Sequence, residues 1–555
     1  MTQTRRRATG VAYTGFLIAF LALAAVLAVL EQVGVPDPVI GYVMVGGPTA
    51  IFIVIAFACR TMKLQDYFTA GHRVPAVFNG LATFAALASG TAFLGLAGAV
   101  YRYGYDGLAI PLGWCGGLIV MSIFTAPALR ASQSWTIPEF LGSRYRSSAV
   151  RVAAAIALAW SAFLLLAAEM ALLGRVASDF LGMPYGTALA VTSVLLLVLT
   201  VPGGMRSVSW AQAAQALVII VALFVPVALV SMRFYGTPLP QQALGRIFDD
   251  LSAIRSVVGT HDTAGASFGG LLAPFAGIGA GRFFILAGCI LLGTAAMPHL
   301  LARAVAAPNG QAARRSALWA LPLVIAFALT APFYGLLAEL ASGGNLGRPD
   351  AAALVADFPA LANLPFAASA LITVGALAAA LATAGGLLLA AGNSLAHDIW
   401  DATLGRSAPT MSRIFRARLG SVLTAAVAGS CAYSGTAGAA SGMVWSFAIA
   451  AACLFPPIAI GIVWRGATWK SALCGMGAGA ATLLGLTLLD AAPGVSAVGA
   501  GDLIGAPSVA LAGIAGAAMD FAAITLAVLA ERRLGVFASR KSETVPDGAA
   551  TAAPS

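Results

Sequence analysis

The stretch GLATFAALASGTAFLGLAGAVYRYGYDG, residues 80–107, decides how the chain folds. Its apolar part is long enough to cross a bilayer, which takes about 20 residues of helix. Its middle, residues 85–98, is built mainly from Ala, Gly, Ser and Thr, with Leu and Phe on the outside of the pattern. A helix serving only as a lipid anchor would use Leu, Ile and Val there. Small residues let neighbouring backbones approach closely. A run such as Ala88-Ser89-Gly90-Thr91 can also open locally and turn its carbonyls toward a cavity. Two readings stand here, a tightly packed helix and a helix broken within residues 85–91, and the rest of the chain separates them.

Working outward, 60% of the 555 residues are hydrophobic and 9% are charged, against about 25% charged in an average soluble protein. Such a chain is an all-α, polytopic membrane protein. Soluble enzymes and nucleic-acid binders are excluded, and the net charge of +10 belongs to loops on one membrane face. The six cysteines lie in or beside apolar segments without a CxxC pair, and the four histidines lack metal-ligand spacing.

Hydropathy gives about fourteen spanning segments: 10–30, 40–59, 77–101, 108–129, 150–176, 187–201, 211–232, 284–305, 317–340, 366–396, 417–433, 442–464, 472–489 and 509–529. Placing the N-terminus in the cytoplasm and alternating leaves only seven of the 31 Lys and Arg outside, namely Arg102, Arg175, Arg233, Arg246, Arg255, Arg282 and Arg348. That asymmetry runs from end to end and puts both termini inside. The first segment, preceded by Arg5-Arg6-Arg7, also resembles a signal peptide, but its apolar run is longer than the usual h-region and residues 31–38 make a poor cleavage site. A retained helix is therefore expected. The tail, 535–555, is polar and rich in Ala, Ser and Pro, and is expected to be disordered.

Two further segments depart from a plain lipid pattern. The eighth, GCILLGTAAMPHLLAR (288–303), has Gly288, Gly293 and Thr294 in its middle, then Pro298 and His299. The tenth, GALAAALATAGGLLLAAGNSLAHD (375–398), carries Thr383 and Gly385-Gly386. Interrupted segments at matching places of two halves point to a transporter site. Segments three to seven and eight to twelve form two blocks of five. Five is odd, so the blocks enter the membrane from opposite sides, as an inverted repeat requires. The expected units are two flanking helices (1–62), a first repeat with a long outside loop (63–283), a second repeat (284–466) and two C-terminal helices (467–534).

Four stretches give the chain a family resemblance: LQDYFTAGHRVP (64–75), WTIPEFLGSRYRS (135–147), GTAAMPHLLARAVAAPNGQAARRSALW (293–319) and LAAGNSLAHDIW (389–400). With the helices between them, residues 65–465 resemble the sodium/solute symporter family, and most closely its acetate and monocarboxylate permease branch. The resemblance implies a leucine-transporter-like fold and a sodium ion between the first and eighth core helices. Carried over by position, its ligands are the carbonyls of Ala85 and Ala88 with Ala379, Ala382 and Thr383. The sequence departs from the family in having no acid near Ala86 and only Thr383 as a hydroxyl ligand.

The clearest intramembrane acid is Glu169, in SAFLLLAAEMALLGR. Such residues face a cavity or a partner. Glu169 therefore either carries the coupling charge, by taking a proton, or pairs with Arg175 or a loop near the outer end. His299 and Arg303, four apart on one helical face, are read as a membrane-edge anchor or as an inner gate. His397 and Asp398 are read as a cap and gate element. Asp520 is read as a packing or oligomer contact.

These features describe a secondary active transporter of the bacterial inner membrane. It would move a small organic solute, a short monocarboxylate first, with a sodium gradient and by alternating access. The solute would sit near Ser89, Gly90, Thr91, Gly288 and Thr294, with half-helix N-termini facing its carboxylate. Beside the solute, membrane lipid is expected as a partner, with no nucleic acid and, apart from the coupling ion, no cofactor. A proton-coupled or uncoupled carrier of an amino acid or other anion is one alternative, and a transport-deficient membrane sensor is another.

Overall fold

The structure is a computed structural model that describes residues 3–258, 273–343, 346, 353–404, 409–435, 439–490 and 507–533. The tail from 535 and parts of both long outside loops fall outside the described residues. Among the described residues every regular element is a helix. Eleven helical spans are long and apolar enough to cross a membrane, with mean hydropathies of 1.7 to 2.7. The chain is a multi-pass membrane protein. The sequence count of fourteen is not reached on that measure. Residues 76–87 and 185–200 form helices too short to qualify, and the helix at 410–433, laden with Arg413, Arg416 and Arg418, is not among the eleven.

Two flanking helices lead in, α1 (Gln3–Gln32) and α2 (Asp37–Ala58). After the short α3 (Leu64–Thr69) comes the stretch read first in the sequence, and it is broken. The half-helix α4 (Ala76–Leu87) stops at Ala88, Ser89 is extended, and α5 (Gly90–Tyr103) begins. The break sits inside the expected window. Ser89 accepts a hydrogen bond from the Ala92 amide at 3.1 Å, which is how a serine N-cap starts a helix. Gly90 is obligatory by close approach, because a Cβ there would lie 2.6 Å from Ala380 Cβ and 2.7 Å from Leu172 Cδ2.

The first block continues through α6 (Ala109–Val120), α7 (Ala126–Ala131), the short α8 (Ile137–Tyr145), α9 (Ser148–Leu181), α10 (Tyr185–Thr200) and α11 (Met205–Tyr235). The outer loop contains α12 (Leu244–Val258). The second block opens as the first does, with a broken helix. In this one α13 (Ala280–Ala296) and α14 (Pro298–Ala306) flank an extended Met297 at φ −62°, ψ 124°. Pro298 explains the break, since it has no N–H to donate and drives the residue before it out of the helical region. Then come α15 (Gly310–Ala341), α16 (Ala353–Leu361), α17 (Phe366–Asn393), α18 (Thr410–Tyr433), α19 (Ala439–Ile449) and α20 (Phe455–Val463), with α21 (Trp469–Asp490) and α22 (Pro507–Arg533) last. The tenth segment differs from expectation. Helix α17 runs through Gly385-Gly386 without interruption.

The loops that the alternation assigns to one face do meet at one end. Arg130 donates to the carbonyls of Ala307 and Pro308 at 2.7 and 2.9 Å. Arg418 reaches those of Thr61 and Pro202 at 3.1 and 3.0 Å, and Arg144 those of Gly461 and Trp464. At the other end Glu31 of α1 caps α17 by accepting from the amides of Phe366 and Ala367 at 2.6 and 2.9 Å. Asp106, fully buried, accepts from the amides of Phe275, Gly277 and Ile278 just before α13.

Candidate functional site

The break between α4 and α5 exposes two unlike sets of backbone groups. A helix leaves its first amides and its last carbonyls without intrahelical partners. The α5 amides are taken by Glu169, which reaches in from α9. Its Oε2 accepts from the Gly90 amide at 3.0 Å, and its Oε1 from the Thr91 amide at 3.3 Å and the Thr91 hydroxyl at 2.8 Å. Glu169 is completely buried. An anion at a helix N-terminus is favoured by both the dipole and the free N–H groups. Two expectations are thereby corrected. Glu169 pairs with the broken helix and not with Arg175. The α5 N-terminus, offered above to a solute carboxylate, already holds the protein's own carboxylate.

The freed carbonyls at the end of α4 meet α17 and α14. The Ala86 carbonyl accepts from the Thr383 hydroxyl at 3.0 Å and faces His299 Nε2 at 3.2 Å. The neighbouring Ala382 carbonyl accepts from the side-chain amide of Gln212, on α11. Thr383 thus meets the broken helix, while the Ala382 carbonyl beside it is bonded to α11. The carbonyl that faces Thr383 is Ala86's, rather than that of Ala85 or Ala88, and Ala379 stands one turn away along α17, fully buried. Oxygens of this kind, unwound carbonyls plus a hydroxyl, are what transporters offer to sodium. Gln212 was not expected here. Its signal was available, because Gln212 and Gln215 are amides within an apolar segment and both are buried.

His299 and Arg303 are each 1% exposed, which excludes the membrane-edge anchor. Arg303 Nη1 donates to Ser209 Oγ at 2.9 Å, and its carbonyl accepts from Asn79 of α4 at 2.8 Å. The two inner half-helices are therefore tied together at this point. His397 and Asp398 sit lower, in a π-helical stretch, Ser394–Trp400, that follows α17. Asp398 pairs with Arg151 at 2.8 Å and accepts from Thr136 at 2.9 Å. His397 packs against the Trp135 and Phe68 rings, each 5.4 Å away, with Glu139 at 3.4 Å and Arg413 at 3.1 Å. Burial alone would push the Glu139 carboxyl up, but His397, the Trp135 amide and Arg151 outweigh it and hold it at about 2. A cavity of about 40 Å³ joins the two levels, lined by Arg303, Gly386 and Asn393 above and by Phe68, Trp135 and Thr136 below.

The five residues expected to line the solute do not form one cluster. Ser89, Gly90 and Thr91 are absorbed by the capped break. Gly288 is turned toward Ile514 of α22, which a Cβ on it would meet at 3.4 Å. Thr294 packs against Gly117 of α6, and its buried hydroxyl has no hydrogen-bond partner among the described residues. Instead, Ser161 and Ser446 meet across the core beside the second break. Each donates to the other's carbonyl, and their hydroxyls lie about 4 Å from Met297 Sδ.

Residues 67–479 match the model of the sodium:solute symporter family. The chain is 28% identical to an uncharacterised symporter of Cupriavidus necator, over 86% of this chain and 89% of that one. It is also 28% identical to a monocarboxylic acid transporter of Corynebacterium glutamicum, over 79% and 81%. A solved structure of a Na+-coupled sialic acid symporter, substrate-bound and outward-open, superposes with a TM-score of 0.70, covering 88% of this chain and 97% of its own, at 15% identity. The two share the leucine-transporter-like fold, and both the family and the fold are those of transporters. Two five-helix blocks that each open on a broken helix, together with a family match over most of the chain, establish that the protein belongs to the sodium:solute symporter family.

Proposed function

We propose that this chain is a secondary active carrier that couples sodium to the uptake of a short monocarboxylate by alternating access. The observation that carries the reading is the Thr383 hydroxyl aimed at a carbonyl freed by the first break, beside the Ala382 carbonyl. In this reading sodium displaces the two hydrogen bonds: the Thr383 hydroxyl keeps its proton and turns it away from Ala86, and the Gln212 amide withdraws from Ala382. Sodium gathers the Ala382 carbonyl, the Thr383 oxygen and the carbonyls released from Ala85 to Ala88. The name of the Corynebacterium relative supports the solute class. The inner route runs past His299, Arg303, His397 and Asp398, which open and close it.

Thr383→Ala should raise the sodium concentration for half-maximal uptake by about 10- to 100-fold, the value of one ligand oxygen to a charge. Thr383→Ser should restore it. Unchanged sodium dependence in the alanine variant would remove Thr383 from the ion site.

A second reading is favoured by one observation: Glu169 is a buried carboxylate with no cation paired to it among the described residues. Here Glu169 takes and releases a proton, and uptake follows the pH gradient. The two readings part on Glu169→Gln.

A further inference from the structure

Arg303 is satisfied on one side only. Among the described residues Nη1 donates to Ser209, Nε and Nη2 have no partner, and no carboxylate pairs with the guanidinium. The side chain is 1% exposed. The open Nε–Nη2 edge is the fork that grips a carboxylate with two parallel hydrogen bonds. Arg303 lines the cavity of about 40 Å³ that also carries the polar residues Thr136 and Asn393. Gly386 makes the room, since a Cβ there would stand 3.6 Å from Nη2 and 3.2 Å from His299 Cβ. A buried cation without a counter-charge is unfavourable, and an anion in the cavity completes it. The space holds about three water-sized groups, close to the bulk of a two-carbon acid. Most of the remaining wall is apolar, with Leu129, Leu158 and Met205, and suits a short alkyl tail.

Arg303 also adjoins the ion locus. The same methyl position on Gly386 would lie 3.5 Å from the Gln212 nitrogen that bonds Ala382. An unneutralised guanidinium there opposes a second cation through a low-dielectric interior. A bound carboxylate cancels that opposition, and by linkage the cation then favours the carboxylate equally.

We propose that the Nε–Nη2 edge of Arg303 is the carboxylate subsite of this protein, and that its neutralisation is what lets a cation settle beside Thr383. The ligand class rests on the carrier reading above; the site rests on the geometry.

The test is equilibrium binding of labelled acetate, and of acetamide as its neutral isostere, to the purified full-length chain in detergent at pH 7, with and without sodium. Acetate should bind at least about 100-fold tighter than acetamide, and sodium should tighten acetate alone. Arg303→Lys, which keeps the charge and loses the fork, should weaken acetate about tenfold, and Arg303→Gln at least about 100-fold with loss of the sodium effect. Should Arg303→Gln fail to fold, the lysine variant and the acetamide comparison decide. Equal binding of the two probes, undetectable acetate binding, or wild-type affinity in the variants overturns the subsite. Uptake into proteoliposomes is read separately. Uptake of another solute without acetate binding overturns the subsite and leaves the carrier standing. Acetate binding through Arg303 with no uptake does the reverse.

Discussion

Glu169→Gln is expected to remove most transport and to lower the unfolding free energy by about 2–4 kcal/mol. The carboxylate accepts three hydrogen bonds from Gly90 and Thr91 in a site without solvent. Glutamine keeps the shape but has one acceptor oxygen, and it turns an N–H₂ donor toward amides that are donors themselves. One buried donor loses its partner, and the charge at the start of α5 is lost. The break is then no longer held at a fixed angle, and both the ion site and the solute route depend on that angle. Thermal unfolding in detergent and initial uptake rates measure the two effects. A variant that melts like the wild type and shifts its pH profile instead would favour the proton-carrying reading.

Asp398→Ala should be at least as damaging to stability, by about 3–5 kcal/mol, since it strands a buried guanidinium. Arg151 gives Asp398 two nitrogens at 2.8 and 2.9 Å, and the pair is 5% and 0% exposed. The contact fastens α9 to the π-helical stretch after α17, and Thr136 joins it to the start of α8. The loss belongs to the stranded charge more than to the bond. The double variant Arg151→Met with Asp398→Leu should therefore recover much of the stability while still impairing the inner gate. If the single variant unfolds at the wild-type temperature, Asp398 is not a structural anchor.

Much of the fold could be read from the chain because a membrane imposes it. Length, hydropathy and arginine placement locate the helices, and small residues or proline mark the two breaks. The site was less legible, for reasons that differ residue by residue. Glu169 stood out as an acid in an apolar run, but its partners lie 78 and 79 positions away, beyond any local pattern. Arg303 sits near the end of its apolar segment and so read as an interfacial residue. In the structure α3, α8 and α17 border the same cavity and bury it. Gly385-Gly386 read as an interruption. The helix continues because those glycines serve packing, and Gly386 leaves space for His299 and Arg303. Gly288 was placed by its depth in the membrane, which says nothing about the face it presents.

The most direct measurement is accumulation of labelled acetate in proteoliposomes of the purified chain, with an inward sodium gradient or an inward proton gradient imposed in turn. A sodium-coupled carrier of short monocarboxylates accumulates acetate above equilibrium with the sodium gradient at equal pH on both sides, and collapsing that gradient releases it. Accumulation that follows only the pH gradient, with sodium without effect, would contradict the account.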